Sequence, residues 1–384
     1  MKLLFVHDHR FYKENGDYYS SGSFPGNVWS RYLEHFSSII IIGRKLDKKN
    51  TGLVQSNTER VKFRLIQEYR NPLDEFLYSK KIDNNIIDSL KQVDAVLVRL
   101  PSILGFRTIN LCKKINKPYA IEVVGCAWDS YWYYGSFKGK LLALSHYGRM
   151  KNLIKDSEFT IYVTKSYLQN RYKTIGYNSY ASNVQINDNL DIVLHNHKKI
   201  ISDNRKYIFG MLGNIDVYYK GYDIAIKALA YIKNDIPDFI LYIVGNGDGK
   251  NIKMLLKKYD LNNHVKILGP LKSGKEVFKF LDNLNIYLHP SLTEGLPRAL
   301  IEAMSRGCPT LASSVGGIPE LLNEKYLHQP GDYKELSKQI ENYSTDKEKL
   351  LLMANENFIK AKEYTNSKLN KRRSQFFKNF RDSI

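Results

Sequence analysis

Cysteine is scarce in this chain of 384 residues: Cys112, Cys126 and Cys308 stand far apart, without a CxxC pair. An odd, scattered set excludes a disulfide framework, offers no zinc-ligand spacing, and suits a reducing compartment. Long apolar runs are lacking too; none approaches the roughly 20 residues that span a bilayer. The first apolar stretch is cut short by His7, Asp8, His9 and Arg10, which reads as a first strand and not as a signal peptide. Acidic groups fall short of basic ones, 39 against 58, for a formal net charge of +19. Internal repeats and low-complexity segments are absent. Apolar residues at 43 % and charged residues at 25 % make a globular composition, which excludes a mostly disordered or collagen-like chain.

The basic excess is uneven. Residues 1–200 carry 30 basic and 18 acidic groups, residues 201–350 carry 20 and 18, and residues 351–384 carry 8 and 3. A field of this kind favours an anionic partner: nucleic acid, an acidic membrane leaflet, or a phosphate-bearing substrate. Simple solubility is the alternative. His195 and His197 form an HxH pair in a polar stretch with no third ligand near, which reads as a surface pair and not a metal site.

One hydrophobic core rarely exceeds roughly 250–300 residues, so two domains are expected. Short apolar runs at 3–6, 39–42, 95–98 and 119–124 read as buried strands, with helical periodicity between them at 28–36 and 82–92. The second half repeats the scheme. Strand-like runs lie at 208–212, 240–244, 265–268, 286–288 and 310–312, and helix-like segments at 222–233, 251–259, 275–281 and 298–306. Continuous apolar strands alternating with helices mean parallel sheets covered on both faces, hence an α/β chain of two Rossmann-like domains. The stretch 191–205 is polar and poor in periodicity and reads as the linker, giving domains 1–198 and 199–365. After Asp332 the chain turns helical. The basic tail 366–384, with Leu369, Phe376, Phe377 and Phe380 on one side, reads as a helix completing the first domain or as a membrane-surface helix.

The strongest chemical signal runs from His289-Pro290-Ser291 through Glu294-Gly295-Leu296-Pro297-Arg298 to Glu302-Ala303-Met304. A strand ends, a loop follows, and a helix begins with Pro297 in its first turn, where its missing N–H costs nothing. The free N–H groups of such a turn form an anion site. Glu302 lies about 12 Å beyond Glu294 if both share a helix. Two carboxylates so spaced suit the hydroxyls at the two ends of a nucleotide-diphosphate sugar, with backbone between them for the diphosphate. Spacing alone is common; the whole string is specific.

This string resembles the E-x7-E motif of the family 4 glycosyltransferases, retaining enzymes with the GT-B fold of two facing Rossmann-like domains. Gly307-Cys308-Pro309-Thr310-Leu311-Ala312-Ser313 and Gly316-Gly317-Ile318-Pro319-Glu320 fit the same pattern. The resemblance is dense from Phe209 to Leu322 and resembles bacterial surface-polysaccharide transferases. It implies that Glu294 contacts the transferred sugar, Glu302 holds the ribose, and Gly295 and Leu296 offer N–H groups to the diphosphate. Gly213-Asn214, followed by Lys220-Gly221, matches the family's donor-phosphate segment. Lys220 falls on its Lys, and Asn214 stands where an Arg is usual. Arg298 is a candidate substitute for that charge. Gly245, in Gly245-Asn246-Gly247, resembles the turn near the nucleotide, and Leu268 lies in the segment that meets the base.

The first half departs more. Gly22 matches the Gly-rich loop after the first strand, but Ser23 replaces its second Gly, and Val124 stands where a His is usual. Trp128, Tyr131 and Trp132 belong to a run of five aromatics in seven residues, which reads either as a sugar-stacking acceptor site or as core. The basic amphipathic stretch 138–155 faces a phosphate-bearing acceptor, the leaflet, or only water. Thr164 is a weak candidate for lining the cleft.

The expectation is therefore a retaining hexosyltransferase acting from a nucleotide-diphosphate sugar. Glu294 and Lys220 are its candidate catalytic residues, and it needs no metal or other cofactor. Its acceptor is a glycan or polyprenyl-linked saccharide, as in capsule or O-antigen assembly. Its setting is the cytoplasm, with peripheral contact to the inner leaflet and no nucleic-acid partner. The alternatives are a nucleotide-sugar epimerase or phosphorylase of the same fold, a transferase degenerate at Ser23, Val124 and Asn214, and a non-catalytic RNA- or membrane-binding protein.

Overall fold

The computed structural model describes residues 1–21, 24–47, 52–67, 74–132, 137–188, 191–202 and 206–384. The chain divides into two compact units. One comprises Met1–Ala181 with Asn370–Ile384, the other Ser182–Leu369.

Strands of the first unit are β1 (Lys2–Glu14), β2 (Asp17–Ser20), β3 (Ser38–Leu46), β4 (Val54–Gln55), β5 (Val61–Ile66), β6 (Ala95–Leu100), β7 (Tyr119–Val123), β8 (Phe159–Tyr162) and β9 (Tyr177–Tyr180). Its parallel body reads β5-β3-β1-β6-β7-β8-β9. Leu3 to Val6 are apolar without interruption because β1 lies at the centre with both faces covered. β1 then runs past its pairing with β6, stays beside β3 as far as Tyr12, and turns back into β2 through Asn15-Gly16. Both turn residues have positive φ, 51° and 90°, the requirement that makes Asn-Gly favoured in a two-residue hairpin. β4 pairs with β2. The expected helix at 28–36 is shorter, a 3-10 turn Gly26–Trp29 running into Ser30–Leu33.

The carboxyl ends of β1 and β6 are tied by a helix cap. Ser102 accepts from the Gly105 N–H at 3.0 Å at the start of the helix Ile103–Lys114. Asp8 accepts from the N–H groups of Ile103 at 2.6 Å and Leu104 at 2.9 Å. A carboxylate there meets the positive end of the helix dipole.

The second unit holds β10 (Tyr207–Leu212), β11 (Phe239–Val244), β12 (Val265–Gly269), β13 (Ile286–His289), β14 (Thr310–Ser313) and β15 (Leu327–His328), all parallel in the order β12-β11-β10-β13-β14-β15. Phe209, Leu241, Ile286, Leu288 and Leu311 lie in one buried core with Ala225 and Leu229 of the helix Tyr222–Ile232. Each expected strand run lies within or overlaps a strand of these two sheets.

The expected linker is different. Residues 191–202 form a helix, Asp191–Ser202, and the units part between Ala181 and Ser182, before the expected boundary at 198. His197 and Ile201 are buried one turn apart, and a Cβ on Gly307 would meet the Leu194 side chain at 2.8 Å. A histidine inside the apolar stripe had hidden the period. His195 is exposed, so only half of the HxH pair is on the surface; burial drives the pKa of His197 down to about 4.

At the chain's end Phe376, Phe377 and Phe380 are all buried. Phe376 stacks on Tyr177 at 6.0 Å, Phe380 lies 5.4 Å from Phe159, and Phe377 meets Tyr32 edge-on at 5.4 Å. The apolar side of the helix Asn366–Asp382 is thus used inside the first unit, which removes the membrane-surface reading of that face.

Candidate active site in the second unit

In a parallel sheet the crevice beyond the carboxyl ends of the strands, where the strand order reverses, is the usual ligand seat. In the second unit that point lies between β10 and β13, whose continuations are Gly213 and the loop from His289.

Glu294 sits in that loop, not on the helix; the helix is Arg298–Ser305, with Pro297 as its N-cap. The two carboxylates therefore do not share one helix, and Glu302 alone sits on it. Three groups converge on one Glu294 oxygen. Lys220 Nζ donates to Oε1 at 2.7 Å, His289 Nε2 lies 2.9 Å from it, and Ser291 Oγ donates at 2.9 Å. Since an ionised carboxylate only accepts, His289 Nε2 carries a proton. Its Nδ1 then accepts from the Tyr287 hydroxyl at 3.2 Å. The Tyr287–His289–Glu294–Lys220 chain is almost wholly buried. Burial pushes the Glu294 carboxyl up, but the Lys220 ammonium and the His289 hydrogen bond outweigh it and hold the group well below the usual carboxylate range. Glu294 is thus a fixed anion. Glu302, also shielded, goes the other way: burial raises its pKa, offset only in part by Arg298.

Two orphaned sets of polar atoms surround this anchor. The N–H groups of Gly295 and Leu296 have no acceptor among the described residues. The Tyr222 hydroxyl is buried without a partner and lies against Gly213. Gly213 itself donates to the Val244 carbonyl at 3.0 Å. Gly316 is required by the Glu294 loop: its φ is +57°, and a Cβ there would come within 1.9 Å of the Glu294 carbonyl oxygen. Gly317 N–H donates to the Gly295 carbonyl at 2.7 Å.

Protein CapJ of Staphylococcus aureus is 40 % identical to this chain over 346 residues, covering 88 % of this chain and 85 % of CapJ. The profile of the glycosyl transferases group 1 matches residues 194–361. The chain belongs to the group 1 glycosyl transferases. The amylovoran biosynthesis glycosyltransferase AmsK of Erwinia amylovora shares 37 % identity over 128 residues, 31 % of each chain. Among solved structures, the sucrose-phosphate synthase of Thermosynechococcus elongatus superposes with a TM-score of 0.74 over 100 % of both chains at 15 % identity. Anabaena HepE in complex with UDP-glucose superposes with a TM-score of 0.67 at 16 % identity, over 99 % of this chain and 100 % of its own. The fold of this glycosyltransferase is GT-B.

Within the glycosyltransferase, Lys220, Gly213, Glu294, Gly295 and Leu296 come together. Arg298 and Glu302 lie one helical turn apart on the helix that follows, where the Arg298 charge acts on Glu302. Asn214 is exposed and accepts from the Asp216 N–H at 3.0 Å, a local turn role. Gly245 is needed for packing: a Cβ would overlap the Gly213 carbonyl oxygen at 1.5 Å. Leu268 is exposed at the end of β12. The sequence placed His289 and Ser291 in the motif string without a role, and gave none to Tyr287 or Tyr222; the available signal was a His at the carboxyl end of a strand, five residues before a motif Glu.

In the first unit Gly22 and Ser23, and the side chain of Tyr131, lie outside the described residues. Trp128 and Trp132 stack at 4.9 Å, with Trp132 exposed. The basic stretch forms the helix Phe137–Lys155, in which Met150 is core and Arg149 lies over the Phe106 ring at 5.0 Å. Thr164 is buried, accepts from the Leu168 N–H at 3.0 Å, and caps that turn instead of lining a cleft. Among the described residues no helix is long and apolar enough to cross a membrane.

Proposed function

We propose that the chain is a retaining, metal-independent hexosyltransferase. It would transfer sugar from a nucleotide-diphosphate donor to a glycan or polyprenyl-linked saccharide in surface-polysaccharide assembly, at the inner face of the membrane. The observation that carries this reading is the buried Lys220–Glu294 pair beside the free N–H groups of Gly295 and Leu296. Glu294, held ionised, is unsuited to proton transfer. Its remaining acceptor capacity suits hydroxyls of the transferred sugar, and it orients the Lys220 ammonium. That ammonium, with the two N–H groups, opposes the charge that develops on the departing diphosphate. A departing phosphate oxygen then serves as the base for the incoming hydroxyl, on the same face. The Glu302 carboxyl suits the ribose.

HepE, solved with UDP-glucose, and the amylovoran biosynthesis in the name of AmsK support the donor class and the setting. The test is a panel of UDP-, GDP-, ADP- and TDP-sugars offered to the wild type and to Glu294→Ala. Slow nucleotide release from one donor, lost in the variant, is expected. Absence of both binding and release across the panel would refute the transferase reading.

A further inference from the structure

The first unit has a reversal point of its own, between β1 and β6, because β3 and β5 lie to one side of that pair and β7, β8 and β9 to the other. Val6 stands beside Val98 as the last pair of the β1–β6 register, so His7 and Arg99 follow it on neighbouring strands. Arg99 makes no hydrogen bond or ion pair among the described residues, and its Nε is fully buried without a partner. Its guanidinium lies over a ring face, that of Phe24, at 4.9 Å.

The nearby acids are engaged elsewhere. Asp8 serves the N–H groups of Ile103 and Leu104 and the Ser102 hydroxyl. Glu122, beside Arg99 on β7, accepts from the Tyr32 hydroxyl at 3.2 Å and shares its surroundings with Arg373. A shielded guanidinium without an anion costs free energy that a ligand oxyanion recovers.

The two histidines complete the seat. His7 Nδ1 accepts from the His9 N–H at 3.1 Å, so in the neutral ring the proton is on Nε2 and available to donate. His9 is held at 2.8 Å by the Ser20 hydroxyl, which also accepts from the Phe24 N–H at 3.1 Å. Burial and the Arg99 charge lower both histidine pKa values, that of His9 to about 4, so both rings are neutral at pH 7.

We propose that Arg99 and the Nε2–H of His7 form a phosphate-binding seat in the first unit, and that its occupant is a phosphate of the acceptor. The assignment to the acceptor rests on the transferase reading, since the donor phosphates already have a seat at Lys220 in the second unit. Arg99 pairs with the oxyanion through two N–H groups, and His7 adds a neutral donor that fixes its orientation.

The test titrates inorganic diphosphate into the full-length, nitrogen-labelled protein and follows the His7 imidazole resonances, assigned by their absence in His7→Gln. A saturable shift is expected. It persists in Lys220→Gln, weakens at least tenfold in Arg99→Gln, and is competed by farnesyl diphosphate but not by UDP. No shift in the wild type overturns the proposal without reference to any variant's folding. An equal shift in Arg99→Gln, or loss of the shift in Lys220→Gln, overturns it as well. Competition by UDP alone assigns the phosphate to the donor and refutes the acceptor site. Failure of the transferase reading is told apart by wild-type donor hydrolysis, which can be absent while the His7 titration is still read.

Discussion

Replacing Lys220 by Met removes the leading counter-charge from a carboxylate that keeps only 11 % of its side chain exposed. Taking away one partner of a buried ion pair costs about 3–5 kcal/mol. Glu294 would retain His289 and Ser291, and Lys220 is itself 20 % exposed, so the cost falls below that range, to about 2–3 kcal/mol. For a unit of this size that is a fall of about 4–12 °C in melting temperature. The pH dependence separates this cause from lost packing. In the wild type the Glu294 pKa lies below its unfolded value, so its contribution is whole above about pH 5 and fades as pH falls through the folded pKa. In Lys220→Met burial is no longer outweighed and the folded pKa rises, so the penalty is greatest near neutrality and shrinks in acid. Calorimetry of the wild type, Lys220→Met, Glu294→Gln and the double variant between pH 4 and 7 reads this directly. The double variant is expected to be more stable than the sum of the two single losses implies. A gap independent of pH, or strictly additive losses, would refute the argument.

Gly316→Ala should cost about 2–3 kcal/mol in urea unfolding, because it combines positive φ with a collision at the Glu294 carbonyl. Gly331→Ala, at φ +86° with open space around it, should cost about 1 kcal/mol, and equal losses in the two would contradict the collision. Phe377→Ala empties a site walled by Tyr32, His35 and Phe36 and should destabilise the first unit by about 3–4 kcal/mol, measured by thermal unfolding with tryptophan emission.

The strands of both units were legible because central parallel strands must be apolar on both faces, as at Leu3–Val6 and 240–244. The Glu294 loop was legible because the whole string from His289 to Met304 is specific, and Gly316 beyond it meets a backbone demand, positive φ, that few residues satisfy. The helix Asp191–Ser202 was not, since His197 occupies an apolar position, where burial keeps its ring neutral. The β1–β2 hairpin carried its signal in Asn15-Gly16, overshadowed by the charged residues around it. His289 and Arg99 acquire meaning only from what the fold puts beside them. His289 is defined by the carboxylate it meets, Arg99 by the anion it lacks. Glu302 and Glu294, equal in the motif, were separated into a raised and a lowered carboxyl by burial and by one lysine.

The return of the tail to the first unit sets an order on biogenesis. During synthesis every residue of the second unit leaves the ribosome before the segment Asn370–Ile384 that supplies Phe376, Phe377 and Phe380 to the first. The usual progression, in which the domain made first is finished first, is therefore inverted. The core of the first unit stays open until Asn370–Ile384 returns to it, after the whole of the second unit has been made.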